Sequence, residues 1–142
     1  MTVKAILDEK GRDVFTIEPE RSLSEAVGLL SERRIGALVV LQDGRIAGIL
    51  SERDIVRVIG KEGPEVLAMP VSSIMTAAVR TCHEGNSVHE VMETMTRGRF
   101  RHLPVEEGGR LVGVVSIGDV VKRRIEDAER EAEQIKEYIA TA

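Results

Sequence analysis

A seven-residue pattern that could hold both a phosphate and a sugar occurs twice in this chain of 142 residues. It reads Gly-x-x-Ser-x-x-Asp and spans residues 48–54 and 113–119. The pattern predicts a helix that begins at the Ser, where the hydroxyl and the backbone N–H groups of the first turn can bind an anion. An Asp one turn later can accept hydrogen bonds from both hydroxyls of a ribose. The same residues are also typical of a plain helix cap with an acidic first turn, so both interpretations stay open.

Basic side chains lie close in sequence to both copies of the pattern. Because the chain has a formal net charge of -4, a local excess of positive charge is a candidate phosphate-binding surface. Each of these side chains could equally be exposed and paired with an acidic residue of its own helix. Two of them interrupt an apolar run that reads as a strand, and we expect those two to face a cleft. The basic residues are Arg34, Arg53 and Arg57 near the first copy, and Arg99, Arg101, His102 and Lys122 near the second, with Arg101 and His102 in the strand.

Both patterns belong to an internal duplication. Residues 14–56 align without a gap with residues 79–121, at an offset of 65. Each copy predicts the order strand, helix, strand, strand, helix, with capping boxes that begin at Ser22 and Ser87 and a glycine turn between the two later strands. Two copies are too few for an open solenoid. We therefore expect an α/β (α+β) fold in which the copies pack face to face about a pseudo-two-fold axis.

The predicted boundaries are residues 1–66 for the first repeat, 67–125 for the second and 126–142 for a C-terminal helix. Strands are expected from residue 14 and, in the second copy, from residue 79, and residues 60–70 are interpreted as a linker. Outside the aligned region, the lead-in segments VKAIL (3–7) and VSSIM (71–75) resemble each other at an offset of 68. The first copy therefore carries three extra residues, for which DEKGR is the expected place.

The C-terminal helix carries a narrow apolar seam. Two heptads are too short to stand alone, so we expect the helix to dock on the body of its own chain or on a second copy. The seam residues are Ile125, Ala128, Ala132, Ile135 and Ile139, spaced three and four apart.

Composition argues against several classes of function. The chain is 42% hydrophobic but only 2% aromatic, which predicts an aliphatic core with little to stack on a base. Its negative charge disfavours nucleic acid as a partner, and the absence of a long apolar run disfavours a membrane. No signal peptide is evident and there is one cysteine, so a soluble cytoplasmic protein is expected.

Metal-binding and catalytic patterns are absent from the sequence. Cys82, His83 and His89 lie near one another but lack the spacing of a zinc site. No Ser-His-Asp order, no pair of carboxylates with a plausible base and no Gly-x-x-x-x-Gly-Lys loop can be found. We therefore expect neither a metal site nor an enzymatic activity.

The chain resembles a tandem pair of cystathionine β-synthase (CBS) domains, also called a Bateman module. The resemblance covers nearly the whole chain and rests on both Ser-x-x-Asp turns, the strand end Leu-Pro-Val at 103–105 and the Gly-Arg-Leu-Val-Gly turn at 109–113. The segments GILSERDIVRVI (48–59) and RFRHLPV (99–105) are most similar to small, free-standing bacterial members. The resemblance implies a β-α-β-β-α unit in each half and a homodimer.

What the resemblance implies for function is a non-enzymatic regulatory module for signal transduction. Such modules bind AMP, ADP, ATP, NAD or S-adenosylmethionine in clefts between their halves and report metabolite state to an effector protein, with no obligatory cofactor. On this basis Asp54 and Asp119 would hold ribose hydroxyls, and Ser51 and Ser116 the phosphate. Adenine would lie against residues 35–38 and 101–104, and Arg53 and the other basic side chains would bind the phosphates. The further residues assigned in this way are Thr16, Ile35, Gly36, Ala37, Arg53, Thr81, Arg101, His102, Leu103, Pro104 and Gly118.

Two differences between the copies predict unequal sites. Gly118 stands where the first copy has Arg53, and Pro104 corresponds to Val39. An alternative function also stays open. The chain could be a ligand-free structural or interaction protein that acts through dimerisation and its C-terminal helix.

Overall fold

A computed structural model describes residues 1–141, and the described residues form five α-helices and five β-strands. The mixed α+β class predicted from the repeats is confirmed. In chain order the elements are α1 (Val3–Lys10), β1 (Thr16–Ile17), α2 (Leu23–Arg33), β2 (Ala37–Gln42), β3 (Arg45–Ser51), α3 (Glu52–Glu62), 3-10 helices at Pro64–Ala68 and Val71–Ser73, α4 (Val88–Gly98), β4 (His102–Glu107), β5 (Arg110–Ser116) and α5 (Ile117–Thr141).

The two predicted β-hairpins are present. β2 pairs with β3 antiparallel, and β1 joins the other side of β2 in parallel, so the sheet order is β1-β2-β3. β4 and β5 form a separate two-stranded sheet. Both turns use residues with positive φ, 52° and 78° at Asp43 and Gly44 and 56° and 81° at Gly108 and Gly109. Such angles match the twist of the flanking strands, which is why Asp-Gly and Gly-Gly favour tight hairpins.

The first helix of each copy begins where the capping sequence predicts. Ser22 Oγ accepts a hydrogen bond from the backbone N–H of Glu25 at 3.1 Å, and Ser87 Oγ accepts from Glu90 at 3.0 Å. In α2 the apolar positions 23, 26 and 30 are buried, whereas Val27 keeps 38% of its surface exposed. The buried stripe is therefore narrower than the sequence pattern suggests.

The first strand of the second copy is reduced to a single bridge, in which Cys82 lies parallel to Val105. The matching strand in the first copy, β1, is itself only two residues long. A turn follows Cys82 at once, because the Asn86 side chain accepts from the backbone N–H of His83 at 2.7 Å and Asn86 N–H donates to the His83 carbonyl at 3.0 Å. The backbone ladder with β4 therefore ends after Cys82, and His83 contacts β4 through its ring Nδ1.

The segment interpreted as a linker is ordered and helical. α3 continues to Glu62, and a 3-10 helix follows over Pro64–Ala68. Val66 within it is 3% exposed and belongs to the hydrophobic core. Glycine and proline at 63 and 64 therefore separate two helices rather than two domains.

The described chain divides into two compact units that do not coincide with its two sequence repeats. The first-repeat unit consists of Asp13–Arg80 with Gly108–Val112. The second-repeat unit consists of Met1–Arg12, Thr81–Glu107 and the chain from Gly113 onward. α1, which precedes the first repeat in sequence, thus packs with the second. The sequence boundaries at 66 and 125 stay a prediction about the order of repeats along the chain.

Each lead-in segment makes the same hydrogen bonds in the unit it joins. Val3 N–H donates to the Asn86 carbonyl at 2.9 Å in the second-repeat unit, and Val71 N–H donates to the Arg21 carbonyl at 2.7 Å in the first-repeat unit. Positions 21 and 86 are 65 residues apart, and positions 3 and 71 are 68 apart, as in the sequence alignment. The similarity of VKAIL and VSSIM therefore reflects one structural role.

The glycine of each Gly-x-x-Ser-x-x-Asp pattern gives the lead-in room to approach. A Cβ atom on Gly48 would lie 2.5 Å from Met75 Sδ and 2.9 Å from the Thr76 carbonyl oxygen. A Cβ atom on Gly113 would lie 2.8 Å from Leu7 Cδ2. Both glycines are needed because the lead-in crosses the strand at this point.

Each unit has an aliphatic core, and among the described residues no polar or charged residue is buried. The core of the first-repeat unit is Ile17, Leu23, Ala26, Leu30, Leu38, Val40, Leu50, Ile55, Val66 and Val71. The buried apolar residues of the second-repeat unit are Val3, Ile6, Leu7, Cys82, Val88, Val91, Met95, Leu103, Val105, Val115 and Val120.

The predicted second helix of repeat two and the predicted C-terminal helix are one continuous helix, α5. Its 25 residues extend about 37 Å at 1.5 Å per residue. Val120 is buried, whereas every described residue from 128 onward is exposed. Docking of the seam on the body of the chain is therefore not observed. Ala142, the last residue of the predicted helix, lies outside the described residues.

Candidate functional site

The first Ser-x-x-Asp turn is a reciprocal helix cap. Ser51 ends β3, and its Oγ accepts from the Asp54 N–H at 3.2 Å. Asp54 Oδ2 in return accepts from the Ser51 N–H at 3.0 Å. The N–H of Glu52 donates to the Gly36 carbonyl at 2.9 Å. Three of the backbone donors in this turn are therefore satisfied inside the protein, so an anion would not find the open set of N–H groups that the sequence suggests.

The second turn repeats the arrangement closely. Ser116 Oγ accepts from Asp119 N–H at 3.2 Å, and Asp119 Oδ2 accepts from Ser116 N–H at 2.9 Å. Ile117 N–H donates to the Arg101 carbonyl at 2.8 Å. The capping interpretation is thus correct for both copies. A capped Asp can still bind a ribose, because a carboxylate has about four acceptor positions and the cap uses one oxygen.

A lysine from α1 distinguishes the second turn from the first. Lys10 Nζ donates to Asp119 Oδ2 at 2.7 Å and to the Val114 carbonyl at 2.9 Å. In the first turn, Asp54 pairs with Arg57 of its own helix at 3.7 Å, which is too long for a hydrogen bond. The Asp119 carboxylate is therefore neutralised at close range, and the Asp54 carboxylate is not.

The environment of Asp119 lowers its pKa. Partial burial acts to raise the pKa, but it is outweighed by the hydrogen bond from Lys10, the backbone hydrogen bond from Ser116 and the positive charge of Lys10. The pKa of Asp119 therefore lies below its ordinary value of 3.8. Asp119 is therefore charged at neutral pH and held in one position.

Sequence reasoning missed Lys10 because it treated α1 as part of the first repeat. The residue lies in DEKGR, the place expected for the three additional residues of the first copy. Because DEKGR contains the insertion and contacts the second repeat, the alignment of the two repeats shows no residue that matches Lys10. The resemblance of the two lead-ins was the available signal, since it indicated that each packs in the same way.

In the first-repeat unit, the structure brings part of the predicted adenine segment to the turn. Ala37 is the register partner of Ser51 across the β2–β3 ladder, and Gly36 accepts the hydrogen bond at the start of α3. Ile35 is half-buried beside them. Thr16 lies on β1 opposite Val39, two residues further along β2, and is exposed.

In the second-repeat unit, the predicted segment is partly inside the core. Leu103 is fully buried and Pro104 is also buried, so only their backbone atoms could meet a ligand. The Pro104 carbonyl already accepts from Cys82 N–H at 3.0 Å. Arg101 is exposed, and Thr81 and His102 are half-buried.

Two of the predicted phosphate cations have an uncommon backbone conformation. Arg34 and Arg99 end α2 and α4 in the left-handed region, with φ of 54° and 56°. Glycine is the usual residue at such a helix end because a side chain there is strained. Both arginines are exposed and occupy matching positions in the two repeats.

The remaining predicted cations lie on the helices that follow the turns. Arg53 and Arg57 are exposed and, with Glu52 and Val56, line a surface groove of about 370 Å³. Lys122 pairs with Glu9 of α1 at 3.5 Å. A smaller cavity of about 180 Å³ next to Asp119 is lined by Ile6, Glu9, Lys10, Asp119, Lys122, Arg123 and Glu126. Gly118 is exposed in this turn, and a Cβ there would meet Ser116 Oγ at an ordinary 3.6 Å.

The residues considered for a metal have other roles. Cys82 is buried, and this burial, with the nearby charge of Glu107, raises its pKa to about 12. His83 Nδ1 is 2.7 Å from the Glu106 carbonyl, and His89 is paired with Glu93 at 3.3 Å. Within residues 1–141 no group of His, Cys, Asp or Glu side chains is arranged to hold a metal ion. None of the helices in that range is long and apolar enough to cross a bilayer.

Comparison with known proteins identifies the repeats. The CBS domain family matches residues 3–61 and 71–126. The crystal structure of the CBS-domain containing protein ATU1752 from Agrobacterium tumefaciens is 50% identical, with a TM-score of 0.85 over 87% of this chain and 99% of that one. The CBS domain pair of protein MJ0100, solved in complex with 5′-methylthioadenosine and S-adenosyl-L-methionine, is 26% identical with a TM-score of 0.79 over 89% of this chain and 98% of that one.

An enzyme also contains a related segment. The inosine-5′-monophosphate dehydrogenase of Thermoplasma acidophilum is 35% identical over 86% of this chain, but the match spans 24% of the enzyme. The likeness therefore concerns one segment of that protein. Two tandem family matches, a shared fold and high identity to a structure of nearly equal length agree, and the chain belongs to the CBS-domain family.

Proposed function

We propose that this protein is a non-enzymatic regulatory module that binds an adenine nucleotide and signals its presence to an effector protein. The candidates are AMP, ADP, ATP, NAD and S-adenosylmethionine. The observation that carries the proposal is the doubled Ser-x-x-Asp turn, in which a cap fixes a carboxylate through one oxygen. The adenosine ligands bound by the MJ0100 domain pair support this class of ligand. The expected cytoplasmic location stays a prediction.

At the first turn, the ligand would be held from three sides. Asp54 Oδ1, outside the cap, accepts from the ribose hydroxyls, and its fixed position reduces the entropy lost on binding. Arg53 and Arg57 line the adjoining groove and meet the phosphates. Backbone groups near Ala37 hydrogen-bond the adenine, since that residue is paired directly with Ser51.

At the second turn, the ligand would compete with Lys10 for Asp119. Asp119 Oδ2 already accepts from Ser116 and from Lys10, so it has less acceptor capacity for a diol. The lysine could instead attract a phosphate, and it would then supply the charge that Gly118 lacks relative to Arg53. We therefore expect the Asp54 site to bind an uncharged nucleoside more tightly than the Asp119 site.

A thermal-shift screen with the five candidate ligands tests the proposal. A ligand present at about 100 times its dissociation constant adds roughly 2.7 kcal/mol of stability, which raises the melting temperature measurably. The matched control is the Asp54→Asn/Asp119→Asn variant, which keeps the shape of both side chains but removes their charge. A shift in wild type that disappears in the variant supports the proposal. No shift with any ligand, or an equal shift in the variant, contradicts it.

A second candidate function is favoured by the exposed seam of α5. Ile125, Ile135 and Ile139 are 53%, 60% and 69% exposed. In this second function the protein associates with a partner through the seam of α5, and the two Ser-x-x-Asp turns serve only as helix caps. Deletion of residues 126–142 distinguishes the two functions. Loss of association, together with the absence of any nucleotide effect on the full chain, would favour the second candidate.

A further inference from the structure

The second half of α5 is a helix without a surface to pack on. All described residues from 128 to 141 are exposed, and 14 residues is about the length at which an isolated helix is marginal in water. Its own charges partly cancel, because Glu133 has glutamates four residues away, at 129 and 137, and basic residues three residues away, at 130 and 136. A helix of this length with no packed face would gain stability from a partner.

The apolar seam of this segment follows a heptad repeat. Isoleucines at 125, 135 and 139 and alanines at 128 and 132 occupy alternating a and d positions, with Ile125 at a. The seam isoleucines are more than half exposed. Such a stripe matches the facing stripe of another helix in a coiled coil.

The charges beside the seam favour a second copy of the same helix, oriented in parallel. In a parallel coiled coil each g residue meets the e residue five positions later on the other helix. Arg124 at g would meet Glu129 of the second copy, and Glu131 at g would meet Lys136 of the second copy. Both pairs have opposite charges, and all four residues are exposed here.

An antiparallel pair could also bury the seam, with Ala128 facing Ala132 and Ile125 facing Ile135 of the second helix. In an antiparallel coiled coil, however, e residues meet e residues and g residues meet g residues, so Glu129 and Glu131 would each lie beside the same glutamate of the second copy. The parallel arrangement covers the seam and places opposite charges beside it. We propose that residues 124–139 of α5 form a parallel coiled coil with the same segment of a second copy of this chain.

Disulfide trapping of the full chain tests contact and orientation together. Ala132→Cys places a thiol at an a position, where parallel helices bring two copies of residue 132 together. Glu137→Cys, on the outer f position of the same helix, is the matched control, and wild type measures any contribution from the buried Cys82. Under mild oxidation we expect Ala132→Cys to form a linked dimer at least tenfold faster than Glu137→Cys. Equal rates, or linkage only in a mixture of Ala132→Cys with Ala128→Cys, which face each other in the antiparallel pair, would overturn the proposal.

A charge exchange provides an independent measurement. Glu131→Lys and Lys136→Glu each place like charges opposite each other, and we expect each to raise the dissociation constant of the dimer several-fold in sedimentation equilibrium. The double variant restores opposite charges and should return it to near the wild-type value. A double variant that associates no better than the single ones, or a wild-type chain that is monomeric throughout, refutes the coiled coil. None of these residues lies at a Ser-x-x-Asp turn, so nucleotide-induced thermal shifts report on the proposed function separately.

Discussion

Asp54 and Asp119 show how two identical residues in matching positions acquire different properties. Both are held by a serine cap, with hydrogen bonds of 3.0 Å and 2.9 Å to their Oδ2 atoms. Only Asp119 faces a lysine, because α1 packs in the second-repeat unit. The difference between the two sites that Gly118 and Pro104 predict therefore has a further cause in Lys10.

Acid sensitivity should depend on Asp119. Because its folded-state pKa lies below the ordinary 3.8, its contribution to stability is present above that pH and is lost as pH falls through the lower folded value. Asp119→Asn should therefore lose stability at pH 7 and show a shallower decline of unfolding free energy between neutral pH and about pH 2. Urea unfolding at several pH values measures this, with Asp54→Asn as the control. A variant that declines as steeply as wild type would count against the Lys10–Asp119 contact.

Removal of Lys10 should open the second turn. Lys10→Met keeps the apolar stem but removes the two hydrogen bonds to Asp119 and Val114. Since the ion pair is partly exposed, the stability cost should be about 0–1 kcal/mol. In an Asp54→Ala background, we expect calorimetry to show tighter binding of adenosine, which has no phosphate for the lysine to attract. Weaker adenosine binding in this variant would indicate that Lys10 aids the ligand and does not compete with it.

Cys82 should report the opening of the second-repeat unit. Its thiol is buried and its pKa is raised to about 12, so the reactive thiolate is scarce at pH 8. We expect a maleimide to label the native protein many-fold more slowly than the urea-unfolded protein. Rapid labelling under native conditions would show that the region around Cys82 and Val105 opens readily.

At the scale of elements, each lead-in segment completes the unit of the other repeat. The two glycine contacts make this arrangement testable. Gly48→Ala and Gly113→Ala should each destabilise the protein by about 1–3 kcal/mol through overpacking. Gly48→Ala should cost more, because the Thr76 carbonyl is backbone and cannot rotate away as the Leu7 side chain can.

Gly28→Ala is the matched control for these changes. A Cβ at Gly28 meets nothing within 4 Å, and the residue lies inside α2. Alanine there should stabilise the helix by about 0.5–1 kcal/mol. Chemical denaturation of all three variants provides the comparison, and equal effects at the three positions would argue against the close approach of the lead-ins.

The sequence predicted an element correctly where neighbouring residues alone determine it. Serine caps placed the starts of α2 and α4, and glycine turns placed both hairpins. The strand from residue 79 and the linker at 60–70 were wrong, because they depend on contacts with other segments. Cys82 pairs only as far as the Asn86 turn permits, and Val66 is helical over a core that the sequence does not reveal.

The candidate site was predictable to the same extent. The first Ser-x-x-Asp turn and Gly36–Ala37 come together as the family resemblance implied. The caps were one of the two interpretations left open by the sequence. The hydrogen bonds to the Gly36 and Arg101 carbonyls and the contact with Lys10 were not predicted, because they are tertiary hydrogen bonds. The ligand-binding roles of the individual residues stay a prediction.

At the scale of the whole molecule, the protein combines two compact units with one helix that extends beyond the duplicated sequence. The units carry the candidate ligand turns, and α5 carries the candidate contact with a second copy. Deletion of residues 126–142 should therefore abolish association and leave the ligand-induced rise in melting temperature intact. Loss of that rise in the truncated chain would show that the two functions cannot be separated.

The role of Asp54 as the ribose-binding carboxylate is tested most directly by calorimetric titration of AMP into wild type and Asp54→Asn. Loss of a charged hydrogen-bond acceptor should weaken binding by roughly 1.5–3 kcal/mol, about tenfold or more. Asp119→Asn, the same change in the other turn, should weaken it less. Equal affinity of wild type and Asp54→Asn for AMP would show that Asp54 does not bind the ribose.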